Sequence, residues 1–149
     1  MEIRLAEIDD LPLLAKVGRK FHQDAGFDKV QSYDEQGIQD SFFALLNNPL
    51  GILITAWDEG KFAGAIAGGI YPNFYDPRES ILQAGFVCVM EEYRKGEATG
   101  ALVGAFEEWG KAKGANILTY MSNTKEWAKQ LKDRGFVKTD TVWAKRMEE

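Results

Sequence analysis

The apolar positions change period several times along the chain, and each change marks a new element. Glu2 to Ala6 alternates polar and apolar, with Ile3 and Leu5 on one side, and predicts a half-buried first strand. Asp9 or Asp10 then stands as a helix cap ahead of Pro12, and Leu14, Val17 and Phe21 follow at helical spacing. The helix fades at Asp24-Ala25-Gly26, and Phe27 to Gln31 reads as a loop. Ser32-Tyr33-Asp34-Glu35 has the form of a capping box. Ile38, Phe42 and Leu45 then stripe a second helix, which Asn47-Asn48-Pro49 ends.

Gly51 to Trp57 and Lys61 to Tyr71 are two strands joined at Asp58-Glu59-Gly60, so they predict a hairpin. Gly64, Gly68 and Gly69 weaken the second of these. They mark either a bulge or a surface where something approaches the backbone. Pro72 to Ser80 is a turn-rich excursion whose Phe74 and Tyr75, with Tyr33, are candidates to line an acceptor site. Ile81 to Met90 is the next strand. From about Ala98 the period becomes helical, with Leu102, Ala105, Phe106, Trp109 and Ala112 on one face. Ala115 to Tyr120 is a further strand. Asn123 with Glu126 resembles a capping box, and Trp127, Ala128 and Leu131 stripe a short helix closed by Gly135. Phe136 to about Lys145 reads as the last strand. The expectation is one α/β (α+β) domain over residues 1–149, in the order β-α-α-β-β-β-α-β-α-β.

Composition narrows the function. The chain has 149 residues, 45% hydrophobic and 28% charged, which suits one globular core. The net charge of −5 argues against nucleic acid, which needs a broad basic face, but leaves room for an anionic cofactor held by local cations. Phe62 to Tyr71 is too short an apolar run to span a membrane, and MEIRLAEIDD lacks the pattern of a signal peptide. The single cysteine, Cys88, has no internal partner, which with the rest predicts a cytoplasmic protein. Within an apolar strand it reads as packing rather than as a nucleophile. His22, the one histidine, reads as structural or solvated, with a role toward substrate as the lesser alternative. No Cys, His or carboxylate cluster has metal spacing.

The stretch Phe86 to Lys113 carries the candidate chemistry. A β-branched apolar run, Phe86-Val87-Cys88-Val89-Met90, meets Glu91-Glu92-Tyr93 and then a basic turn, Arg94-Lys95-Gly96. A helix N-terminus follows. Unpaired backbone N–H groups and the positive end of a helix dipole thus meet at one point, which suits a phosphate.

Val89-Met90-Glu91-Glu92-Tyr93-Arg94 resembles the V-x-P-E-Y-R that precedes the pyrophosphate loop of GCN5-related N-acetyltransferases. The following helix, Asn123 and the pair Gly135-Phe136 are similar to the later parts of that family's pattern, and the order of elements matches its fold. The family loop reads Q/R-x-x-G-x-G/A. Here it runs Arg94-Lys95-Gly96-Glu97-Ala98-Thr99, so Glu97 and Thr99 replace two small residues, and Glu91 replaces the proline. Loops altered in this way are similar to those of phage-encoded members. Two unit charges about 5 Å apart repel by roughly 1 kcal/mol in water-like surroundings, so Glu97 is compatible with a diphosphate if its side chain points outward.

The resemblance implies acetyl-coenzyme A as cofactor and direct transfer of acetyl to a primary amine, on a small molecule or on a peptide or protein. It implies that Arg94, Lys95, Gly96, Glu97, Ala98, Thr99 and Gly100 hold the pyrophosphate. Val87, Cys88 and Val89 would offer backbone groups to the pantetheine arm, where their strand splays from its neighbour, and Asn123 would add to the cofactor site. Glu91 and Glu92 are the base candidates it suggests. Its usual acid is a tyrosine four residues before the final Gly-Phe. Leu131 stands there, which leaves Tyr120 as the substitute. The same departures admit an alternative, a binding protein on this fold that has lost catalysis. A homodimer is compatible with either.

Overall fold

The computed structural model describes residues 1–121, 125–140 and 142–147. Its strands are β1 (Glu2–Leu5), β2 (Gly51–Asp58), β3 (Lys61–Asn73), β4 (Asp76–Val89) and β5 (Ile117–Tyr120). Its helices are α1 (Leu11–Asp24), α2 (Glu35–Leu46), α3 (Glu97–Ala112) and α4 (Lys125–Asp133). The strands form one sheet in the order β1-β2-β3-β4-β5. The first three pairings are antiparallel, and β4–β5 is parallel, joined through α3.

Two apolar layers hold the sheet. Leu53, Ala65, Ala67, Phe86 and Cys88 pack against Leu11 and Leu14 of α1 and Phe42 of α2. Ile52, Ile54, Ile66, Leu82 and Ala84 pack against Ala98, Leu102 and Phe106 of α3. Alternation along β2 sends neighbours to opposite layers, as a sheet covered on both faces requires.

The hairpin of β2 and β3 turns at Glu59 and Gly60, both with positive φ (49° and 83°), as a two-residue turn matched to strand twist needs. The glycines of β3 have an explanation inside the fold. A Cβ at Gly68 would lie 2.0 Å from the Gln83 carbonyl oxygen and 2.7 Å from Phe106 Cζ. What approaches the backbone there is α3 and the neighbouring strand.

Some expectations need correction. The excursion at Pro72 to Ser80 belongs to the sheet: β3 runs to Asn73 and β4 starts at Asp76, so only Phe74 and Tyr75 form the loop. The Asn73 side chain accepts the Tyr75 N–H at 3.1 Å, which closes the turn locally. Phe74 and Tyr75 are about nine-tenths exposed, at the end of the sheet opposite the α3 N-terminus, and so do not pack against the core. At α2 the N-cap is Asp34, without a side-chain cap bond, rather than Ser32. At α1 the N-cap is Asp10, as expected, but its carboxylate bonds no N–H of that helix: it accepts from Arg4 Nη1 at 2.8 Å, Arg4 Nη2 at 3.1 Å and the Glu7 N–H at 2.8 Å, the last closing a capping box on the turn Ile8–Asp10. Finally, residues 136–140 and 142–145 form no strand, and Val137, Val142 and Trp143 are exposed. A strand needs a paired neighbour as well as a suitable sequence, and the described residues of this stretch pair with none of the five strands.

Candidate active site

The site begins where β4 and β5 part. They pair only over Ile81–Ala84 and Ile117–Tyr120. β4 then continues to Val89 bonded to β3 alone. A register shift helps it turn away: Ala67 faces Phe86 and Gly68 faces Ala84, so Gly85 is the extra residue of a bulge. Gly85 is exposed, and a Cβ built on it would meet nothing within 4 Å. The edge of Val87, Cys88 and Val89 on the β5 side is therefore open among the described residues.

At the end of β4 the chain makes one 3-10 turn, Glu91–Tyr93, and enters α3 at Glu97 behind the N-cap Gly96. No side chain caps this helix, so its first-turn N–H groups lack acceptors within the helix. The two unusual loop residues stand clear of them. The Glu97 side chain is 74% exposed and lies 3.8 Å from the Met1 amino group. Thr99 is buried beside Ala98 under the helix. Arg94 Nε donates to the Val89 carbonyl at 3.0 Å, which fixes the guanidinium beside the loop and leaves its Nη donors without a partner among the described residues. Lys95 and Gly96 are exposed, and Gly100 is half-buried in the first turns of α3.

Sequence reasoning missed Arg134. It follows α4, and a Cβ at Gly100 would come within 3.0 Å of its guanidinium. Its backbone N–H bonds the Gln130 and Leu131 carbonyls, and its guanidinium makes no hydrogen bond or ion pair among the described residues. A cation thus overlies the helix turn to which an anion would bind. Its only sequence signal is a basic residue one place before Gly135.

Tyr120 closes β5 opposite Ala84, where the strands divide. Its ring packs on Phe106, Trp127 and Phe136 at 5.4–6.1 Å. Its hydroxyl is buried with no hydrogen-bond partner among the described residues, and burial, then the charge of Glu107, raise its pKa. The phenol is therefore neutral and free to donate. Cys88 faces the α1–α2 layer, and burial pushes its thiol up to about 12, so the side chain is an inert neutral thiol. Glu92 is bound to Lys61 at 2.9 Å, which ties it to the β3 side, and Glu91 is exposed. Leu131 is buried. Asn123 lies outside the described residues.

Past the split, a cavity of about 430 Å³ opens between α1, α2 and β4. Phe21 and His22 of α1, Phe27, Tyr33, Asp34 and the bulge residues Gly85 and Phe86 line it. Tyr33 donates its hydroxyl to the Ala15 carbonyl. A Cβ at Gly18 would meet that hydroxyl at 2.6 Å and Phe86 at 3.2 Å, so the glycine makes room for both. The cavity and the open edge of β4 meet at Gly85. Among the described residues no group of side chains could hold a metal ion, and no helix is long and apolar enough to cross a membrane.

The model of the acetyltransferase (GNAT) family matches residues 16–136. No curated protein matches the chain by sequence. Similar solved structures include a predicted acetyltransferase from Clostridium acetobutylicum with acetyl-CoA, at 15% identity and a TM-score of 0.79, covering 97% of this chain and 95% of that one. An aminoglycoside acetyltransferase from an uncultured soil metagenomic sample, in complex with sisomicin, gives 14% identity, a TM-score of 0.73 and coverage of 99% and 96%. AAC(6')-Iy in complex with a bisubstrate analogue gives 16%, 0.77, 99% and 97%. At these identities the likeness is one of fold. The split sheet with an uncapped helix beneath it, and a family match over most of the length, lead to one conclusion: this chain belongs to the acetyltransferase (GNAT) family, whose cofactor is acetyl-CoA.

Proposed function

We propose that the protein transfers an acetyl group directly from acetyl-CoA to a primary amine. One observation carries this reading: β4 leaves β5 at Ala84 and runs, unpaired on that side, to the uncapped start of α3. Acetyl-CoA, when bound, supplies an acetyl thioester activated toward amines. The N–H groups of Gly96, Glu97, Ala98, Thr99 and Gly100, with Arg94 Nη, Lys95 and Arg134, are the donors available to its diphosphate. Main-chain groups of Val87, Cys88 and Val89 are available to its amide-bearing arm. Gly85 leaves space where that arm ends and the cavity begins, so the cavity is the acceptor site. Tyr120, neutral and without a partner, is the donor for the departing sulfur. Asn123 and the carboxylates of Glu91 and Glu92 complete the candidates.

Thiol release with a panel of primary amines tests this. Wild type is expected to turn over at least one amine, and Arg94→Glu to need far more acetyl-CoA for the same rate. A second reading, a binding protein without catalysis, is favoured by buried Leu131 in place of a tyrosine. Acetyl-CoA binding with background thiol release from every amine would establish it, and steady turnover would exclude it.

A further inference from the structure

His22 Nε2 is buried without a hydrogen-bond partner among the described residues, and the residue lines the cavity. Buried polar atoms are nearly always paired, so an unpaired ring nitrogen on a residue that lines a cavity asks for a ligand. The other walls are aromatic. His22 stands 5.2 Å from the Tyr33 ring and 5.9 Å from Phe27, and Phe21 meets Phe86 edge-on at 5.3 Å. Asp34 is the one carboxylate in the lining. Around the imidazole, α1 also carries Arg19, which lies 5.0 Å over the Tyr33 ring and is paired with Glu35 at 3.3 Å. The segment before α2 brings the Tyr33 hydroxyl and Asp34, and the turn Phe27–Lys29 brings Asp28 and Lys29. β4 and the lining residues of α2 bring no ionisable group.

We propose that the cavity takes a primary amine carried on a small aromatic body, and that His22 Nε2 accepts its ammonium proton. This rests on the acetyl-transfer reading above. Flat apolar walls suit an aromatic body, and one carboxylate suits one ammonium rather than a polycation. An ammonium has no lone pair to attack with. Giving one proton to His22 Nε2 frees it. The amine nitrogen then bonds to the acetyl carbonyl carbon as the carbon–sulfur bond breaks. The nitrogen's second proton ends on sulfur, giving an amide and a free thiol, and His22 returns its proton to water.

The probe is 2-phenylethylamine, with spermidine as the polycationic comparison. A single histidine gives one set of imidazole NMR signals, which can be followed without acetyl-CoA. The probe is expected to shift those signals, and spermidine to leave them. His22→Gln is expected to lower kcat about a hundredfold, leave KM within a few-fold and abolish the acid limb of the pH–rate profile. Unmoved imidazole signals, a preference for spermidine, or an active His22→Gln enzyme that keeps its rate and acid limb would overturn the proposal alone. A wild-type protein that neither binds acetyl-CoA nor releases thiol would overturn the acetyl-transfer reading with it.

Discussion

Single side chains decide whether the loop at Arg94 to Gly100 tolerates an anion. Glu97 is the residue most opposed to it, and its exposure sends the charge outward. Arg134, whose guanidinium lies against Gly100 one turn on, adds a positive charge near it. An exposed cation contributes modestly, so Arg134→Ala is expected to weaken acetyl-CoA binding on the order of fivefold by calorimetry. Unchanged affinity would remove Arg134 from the site. A second residue-scale test concerns stability. The Arg4 hydrogen bonds, more than any other cause, hold the Asp10 carboxyl below its ordinary value of 3.8. A depressed folded pKa stabilises above the unfolded pKa and is lost as pH falls through the folded one. Asp10→Asn is therefore expected to destabilise by about 1–3 kcal/mol at neutral pH, with the difference from wild type shrinking as pH falls below 3.8 in denaturant titrations.

At the scale of elements, β4 does two jobs: it is a core strand up to Ala84 and an open edge beyond. The bulge at Gly85 divides them. Because a Cβ there meets no protein atom, Gly85→Val is expected to keep the wild-type thermal midpoint yet lose most thiol release. Gly68 gives the opposite result. Its Cβ would clash with strand and helix together, so Gly68→Ala is expected to cost about 2–3 kcal/mol, read as a fall in melting midpoint. The apolar run of β4, the helical stripe of α3 and the turn between them were legible because each is a local pattern. The bulge was not, since Gly85 is extra only relative to its partners on β3. Arg134 and the cavity were hidden for the same reason. Each joins residues far apart in sequence, and spacing says nothing about such meetings. The supposed last strand failed from the opposite cause, a local pattern without a neighbour.

For the molecule as a whole, the sheet of the described residues parts between β4 and β5, with the open helix end at one side of that break and the cavity at the other. A chain of net charge −5 presents cations there through Arg94, Lys95 and Arg134. The most direct measurement is calorimetric titration of acetyl-CoA into the wild-type protein and into Arg94→Glu. Saturable binding by wild type, weakened at least about tenfold by the charge reversal, is the expected result. No binding by wild type, or equal affinity in both proteins, would contradict a diphosphate held at the start of α3.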